Sequence, residues 1–230
     1  MKSLNDIEIS GALGARPQRS EVNNPRVKSG KDLRLHFPLV WTQNGLTSVI
    51  VVTAIGESAR AIEQHALPGE PLFITGSLSK YQGATRCKMI SSARLTGAGR
   101  TTEVQGPRGP LLSLEGGNAD VRVRGHITED SRVVHGVYLS TLSVRNKDNE
   151  YVEHYTISAT QPMFAGQAVS VTGDFQRLIN QEETEAVIVA RHLRIGEQLI
   201  GPASMTNRDP QDRLRMHRLR PQDQSALSNP

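Results

Sequence analysis

The sequence predicts an all-β protein built from two tandem five-stranded Greek-key barrels, and three observations carry that expectation. Leu67, Gly69, Leu72, Ile74, Gly76 and Leu78 recur in identical spacing as Phe164, Gly166, Val169, Val171, Gly173 and Phe175, 97 residues further on. The same offset runs without a gap to Ala93-Arg94 and Ala190-Arg191. Self-similarity at fixed spacing marks one supersecondary unit used twice. Period-two alternation, as in Leu33, Leu35, Phe37 and Leu39, marks half-buried strands between the turn signals. A chain of 230 residues has room for two domains of about 100 residues, each with a modest core.

In the first repeat, Ile7 to Gly11 reads as a short strand, and polar Ala15 to Lys31 as a long mobile loop. Leu33 to Val40 is the second strand, where Pro38 argues for an edge or a bulge. Asn44-Gly45 is a hairpin signal, and β-branched Thr47 to Ile55 reads as a strand buried on both faces. Glu57 to Ala66 places Ala59, Ile62 and Ala66 at helical spacing and stops at Pro68-Gly69. Leu72 to Leu78 and Arg86 to Leu95 follow as strands joined through Gln82-Gly83. The second repeat keeps the order with Val121 to Gly125, Val137 to Val144, Tyr151 to Ala159, Ala168 to Phe175 and Ala186 to Ile195. Between Ala159 and Phe164 it has room only for a turn, so its helix is lost. A five-stranded Greek key with a helix between strands three and four is the OB-fold. The expected division is OB-fold 1 over 1–97, a Gly/Pro linker over 98–110, OB-fold 2 over 111–198 and a disordered basic tail over 199–230.

Charge is unevenly placed. The net +4 divides into +6 over the first hundred residues, −4 over the second hundred and +2 over the last thirty. A polyanion is therefore drawn to the first repeat and the tail. Cys87 is the single cysteine, so no internal disulfide forms and a cytoplasmic location is expected. No apolar run approaches membrane-spanning length, and no export signal is expected at the N-terminus. With no phosphate-cradling glycine motif, no zinc-ligand spacing and no concentrated carboxylate cluster in the first repeat, neither catalysis, a metal nor a cofactor is expected.

Single strands are held by a basic groove with aromatic platforms for the bases. Trp41, beside the Thr42–Gly45 turn, and Tyr81, at a hairpin tip, are the expected platforms in the first repeat. Arg34 and His36 alternate outward on one strand and Arg86 and Lys88 on another. Arg34, Lys80, Arg86 and Lys88 are the expected phosphate contacts. Phe37 shares its phase with core leucines. Phe73 fits either a binding face or an oligomer contact. Arg19, Arg26, Lys28 and Lys31 are placed to clamp a strand from the long loop. Arg94 and Arg191 fit an ion pair as well as a nucleic-acid contact. Tyr138, Tyr151 and Tyr155 with Arg145 and Lys147 form a weaker version in the second repeat. There Glu182, Glu183 and Glu185 stand where the first repeat has Arg86 and Lys88, which points to a dimerisation or packing role.

The block Leu35, His36, Phe37, Leu39 and Trp41, then Ser48 to Gly56, a helix and the glycine signature resembles bacterial single-stranded DNA-binding proteins. Primosomal PriB-type proteins share these grounds. The resemblance covers about residues 5–97 and, more weakly, 119–197, and Lys80-Tyr81 occupies the family's basic, aromatic-tipped hairpin. It implies a non-enzymatic, sequence-tolerant binder of single-stranded DNA in replication, recombination or repair. Relatives use four OB-folds per unit, which implies a homodimer and partners among replication or recombination proteins. The chain departs from the family in ending on Ser225 to Pro230 behind a basic segment instead of an acidic tip, and in its 4% aromatic content. A primosome-like protein adaptor with weak DNA affinity and an RNA-binding OB protein are the alternatives.

Overall fold

The computed structural model describes residues 4–145, 152–179 and 185–198. The expected disordered tail, and Lys147 and Tyr151 with it, lie outside them. In chain order the elements are β1 (Leu4–Leu13), β2 (Gln18–Asn23), β3 (Lys31–Gln43), β4 (Leu46–Ile55), α1 (Glu57–His65), β5 (Pro71–Tyr81) and β6 (Ala84–Arg94). There follow β7 (Thr101–Gly106), β8 (Gly109–Glu115), β9 (Asn118–Ile127), β10 (Arg132–Val134), β11 (Val137–Arg145), β12 (Val152–Ala159), β13 (Gln167–Gln176) and β14 (Val187–Gln198).

Two barrels result. In the first, β3-β4-β6-β5-β1 closes through β1–β3 pairing, Ala12 opposite Val40. In the second, β11-β12-β14-β13-β9 closes through β11–β9 pairing, Leu142 opposite Ile127. Each holds one parallel pair, β4–β6 and β12–β14, as the Greek-key path requires. This is an all-β OB-fold architecture with a single helix among the described residues. That helix buries Ala59 and Ile62 against barrel 1, and Arg60 ties it to the nearly buried Asp32 of β3 at 3.1 Å. Among the described residues no helix is long and apolar enough to cross a membrane.

The repeated glycines have two separate causes. Gly69 and Gly166 adopt φ of 88° and 82°, a left-handed turn that only glycine enters at little cost. Gly76 and Gly173 sit where a neighbouring strand crosses closely. A Cβ there would lie 2.4 Å from the Lys88 carbonyl oxygen and 2.2 Å from that of Val189. Three two-residue hairpins, Asn44-Gly45, Gln82-Gly83 and His135-Gly136, carry positive φ at both positions, the mirror-image turn that matches strand twist.

Four sequence expectations are corrected. The loop from Ala15 to Lys31 contains β2, which pairs with β3 from Gln18 opposite His36 to Asn23 opposite Lys31. Its side chains stay largely exposed, so it leaves no apolar alternation to read. The Gly/Pro segment 98–110 carries most of a hairpin, β7–β8, and β8 runs parallel to β3 with Leu114 beside Trp41. β4 is buried on one face only: Ile50, Val52 and Ala54 point inward while Val51, Thr53 and Ile55 stay partly exposed. The gap-free offset breaks after Gly173. Cys87 pairs with Val52, and its counterpart Ile188 with Ile157, an offset of 101. The second hairpin is thus four residues longer than the first. Pro38, by contrast, sits as its chemistry demands. It lies between the β3 stretch paired with β2 and the stretch paired with β1, where no amide is needed.

Replacing Gly76 or Gly173 by alanine forces strand backbone apart. Each change is expected to cost about 1–3 kcal/mol in urea unfolding, the range of core overpacking.

Candidate nucleic-acid interface

Barrel 1 carries its cations on one outer face because period two sends alternate residues outward from β3, β4 and β6. Cross-strand register then aligns them. Gln18, His36, Thr53, Lys88 and Ser77 form one row across β2, β3, β4, β6 and β5. Pro38, Val51, Arg86 and Ser79 form the next row. Arg34 lies on the same face, two residues from His36 along β3. Four of the expected contacts, Arg34, His36, Arg86 and Lys88, are therefore brought together.

Among the described residues no carboxylate forms an ion pair with the inner members of this group. The Nε atoms of Arg34 and Arg86 are shielded from solvent and have no hydrogen-bond partner among the described residues. His36 Nδ1 lies 3.0 Å from the Thr53 hydroxyl, which orients the ring. Burial, then the charges of Arg86 and Arg34, hold the His36 imidazole below the ordinary histidine range. The site thus concentrates positive charge that an arriving anion would neutralise. Thr53 is the participant that residue-by-residue reading misses, since only the register places it between His36 and Lys88.

Tyr81 completes the face from the rim. It is 52% exposed at the β5–β6 tip, with the Arg86 guanidinium 4.4 Å from its ring centroid. That stack holds the phenol over the cationic rows while its other side faces solvent. Lys80 has a different setting. Its amide donates to Glu153 Oε1 of barrel 2 at 2.9 Å, and its Nζ lies 6.0 Å from the Tyr155 ring. At the hairpin root, Asn5 accepts from the Leu78 amide and donates to the Leu78 carbonyl.

Two expected platforms are corrected. Trp41 is 2% exposed and packs on Phe175 of barrel 2, ring centroids 6.3 Å apart. Tyr155 is equally buried, its hydroxyl donating to Glu153 at 2.7 Å. Burial first, then Glu153, pushes the Tyr155 phenol far above its usual range. Neither ring can receive a base. Tyr138 and Arg145 sit at opposite ends of β11, about 23 Å apart along the strand. The aromatic-basic constellation expected for barrel 2 is therefore not assembled among the described residues. Phe37 is core, as its phase implies.

Several of the other basic residues are engaged in ion pairs, whereas Arg26 and Lys28 of the expected clamp are in none of the ion pairs among the described residues. Arg94 meets Glu70 at 2.6 Å, and Arg191 meets Asp120 and Asp174. In the β2 region Arg19 meets Glu63 and Lys31 meets Glu21, both at the surface. Cys87 is buried, and burial pushes its thiol up to about 12, so it stays unreactive. Among the described residues no group of histidine, cysteine and carboxylate side chains gathers at metal-binding distance.

This geometry has solved counterparts. The single-stranded DNA binding protein from Thermus aquaticus aligns over 90% of this chain and 98% of its own, with a TM-score of 0.59 at 18% identity. A deletion mutant of that protein aligns over 88% and 98%, with a TM-score of 0.57 at the same identity. The likeness is one of fold. Neither a family model nor a curated protein matches the sequence. Both barrels of this chain fall within the aligned length, so the likeness covers the tandem arrangement and not one barrel alone.

Trp41→Ala is expected to cost about 3–5 kcal/mol of stability, as for other large-to-small core changes. Trp41→Phe should keep oligonucleotide affinity unchanged in a fluorescence-anisotropy titration, because the ring lies inside the protein.

Proposed function

We propose that the protein binds single-stranded DNA without sequence preference, through the outer face of barrel 1. The observation that carries this reading is the convergence of Arg34, His36, Arg86 and Lys88 beneath the Arg86–Tyr81 stack. Cations gathered in three adjacent rows suit a phosphate backbone, and an exposed ring stacks on any base at about 1–3 kcal/mol. Contacts dominated by phosphate-binding cations and a stacking ring give affinity and little sequence discrimination. The resemblance in fold to a single-stranded DNA binding protein supports the same reading. In this reading the chain covers unpaired DNA during replication, recombination or repair in the cytoplasm. It works without cofactor or catalysis, and as a homodimer that presents four barrels. Solution mass by sedimentation tests the dimer against a 25.2 kDa monomer.

Anisotropy of labelled oligo-dT, duplex and oligo-rU at low salt is the deciding experiment. Tight capture of oligo-dT over duplex is expected; equal affinity for duplex, or none for oligo-dT, removes the proposal. Arg34→Gln, Arg86→Gln and Lys88→Gln should each flatten the slope of log K against log salt by about 0.7, one phosphate contact apiece.

Proton linkage gives an independent check. His36 is faced by Arg34 on its own strand, Gln18 from β2, Thr53 from β4, and Arg86 and Lys88 from β6. A phosphate bound there favours the protonated ring that burial and the arginines disfavour, so binding takes up a proton. Affinity for oligo-dT should therefore rise as pH falls below about 6.5. His36→Gln should remove that rise.

A further inference from the structure

The registers of the two barrels superpose position by position, and they differ most where barrel 1 is most cationic. His36 faces Thr53, which lies beside Lys88; the same places in barrel 2 are Leu139, Ser158 and Val189. Arg86, beside Val51, becomes Val187 beside Thr156. Arg34, opposite Ser20, becomes Val137 opposite Val134. All four cationic positions are aliphatic in barrel 2. They are not core: Val137 is 36% exposed, and Leu139, Val187 and Val189 are half-buried on the outer face. Such a strip offers phosphate nothing to bind, while it would gain by covering its apolar surface.

The surroundings select what covers it. Leu139 borders a cleft of about 260 Å³ that is also lined, among the described residues, by Glu129, Asp130, Glu185 and one guanidinium, Arg132. Among the described residues, and leaving Asp130 aside, the two carboxylates of Glu129 and Glu185 outnumber the one guanidinium and make the local potential negative. Neighbours hold these carboxylates in place: Thr141 donates to Glu129, Thr156 to Glu185 and the Ala165 amide to Asp130. An aliphatic strip ending in fixed carboxylates is complementary to an extended chain whose aliphatic side chains at alternate positions are followed, in the same phase, by a basic one, and it repels a polyanion.

We propose that this face of barrel 2 is a docking site for an extended, basic peptide segment of a protein partner. Aliphatic side chains of the peptide lie on the strip formed by Val137, Leu139, Val187 and Val189. A lysine or arginine of the peptide enters the carboxylate cleft. Duplication thus yields one barrel face for a polyanion and its counterpart for a polycation.

The test uses the full chain and a fluorescein-labelled peptide that carries, at alternate positions separated by threonine, three valines followed by two arginines, with anisotropy read at low salt. Saturable binding is expected, at least about tenfold tighter than for the same peptide with glutamate in place of arginine. The pair Val187→Thr and Val189→Thr keeps strand propensity, and Glu129→Gln alters an exposed carboxylate; each variant should weaken peptide binding about tenfold. Both should leave oligo-dT affinity and solution mass unchanged. Arg34→Gln with Arg86→Gln should leave the peptide bound, which separates this site from the barrel 1 reading. The proposal is overturned if the peptide does not bind, or if it binds both variants as tightly as the parent. It also fails if the threonine pair weakens oligo-dT as Arg34→Gln does, which makes the face a DNA site. A changed solution mass for that pair means that a second copy covers the strip, and overturns it as well.

Discussion

The antiparallel ladder between β1 and β9 is the constraint from which the rest of the molecule follows. It runs from Leu4 opposite Arg124 to Ser10 opposite Asn118 and joins the two barrels edge to edge. Ile7 pairs with Gly76 inside barrel 1, and Val121 pairs with Gly173 inside barrel 2. Ile7 and Val121 are therefore equivalent residues, and they face each other directly in the ladder. A local twofold relation passes through that pair. The hairpins then reach across it in both directions. The Lys80 amide finds Glu153, while β13 runs on to Leu178, which bridges to Ser48, with the Val49 amide donating to the Arg177 carbonyl.

Joining the barrels this way decides which aromatic groups remain available. Trp41 lies near the end of β3, beside Leu114 of β8, and Phe175 of the other barrel packs against its ring. Tyr155 is closed in by the hairpin that carries Lys80. Both barrels share one continuous cluster of buried side chains, so these rings serve cohesion between the barrels. Tyr81 lies beyond the anchored root of its hairpin, and it alone among the expected platforms of barrel 1 keeps an exposed face.

A β-barrel of this kind can change its outer face without disturbing its core, because inward and outward residues alternate along every strand. Although core Phe37 gives way to buried Ser140, which bonds Ser131, most inward positions of the two barrels stay apolar: Val52 and Cys87 correspond to Ile157 and Ile188, all buried. Their outward neighbours turn from Lys88 and Arg86 into Val189 and Val187 at no cost to packing inside. Two copies of one scaffold can thus diverge in charge while keeping the same register and the same crossing glycines at Gly76 and Gly173.

The sequence by itself determined whatever is local to a strand or a turn. The alternation of Leu35, Phe37 and Leu39 set the inner face of β3 and placed Arg34 and His36 outside. The glycine pairs marked both copies of the signature, and Ala59 with Ile62 marked the helix. Nothing local could reveal β2, whose side chains are largely solvated, or β7–β8, whose glycines and prolines read as a linker. Only the tertiary structure decided which positions correspond between barrels and which rings are buried. Four more residues between Gly173 and Ile188 than between Gly76 and Cys87 put Val187 and Val189 on the places of Arg86 and Lys88, which the constant offset assigned to Glu183 and Glu185. Glu182 and Glu183 lie outside the described residues. Burial of Trp41 and Tyr155 depends on surfaces far away along the chain. Side-chain phase is written within one strand, whereas register and cover are set by strands that meet only after folding.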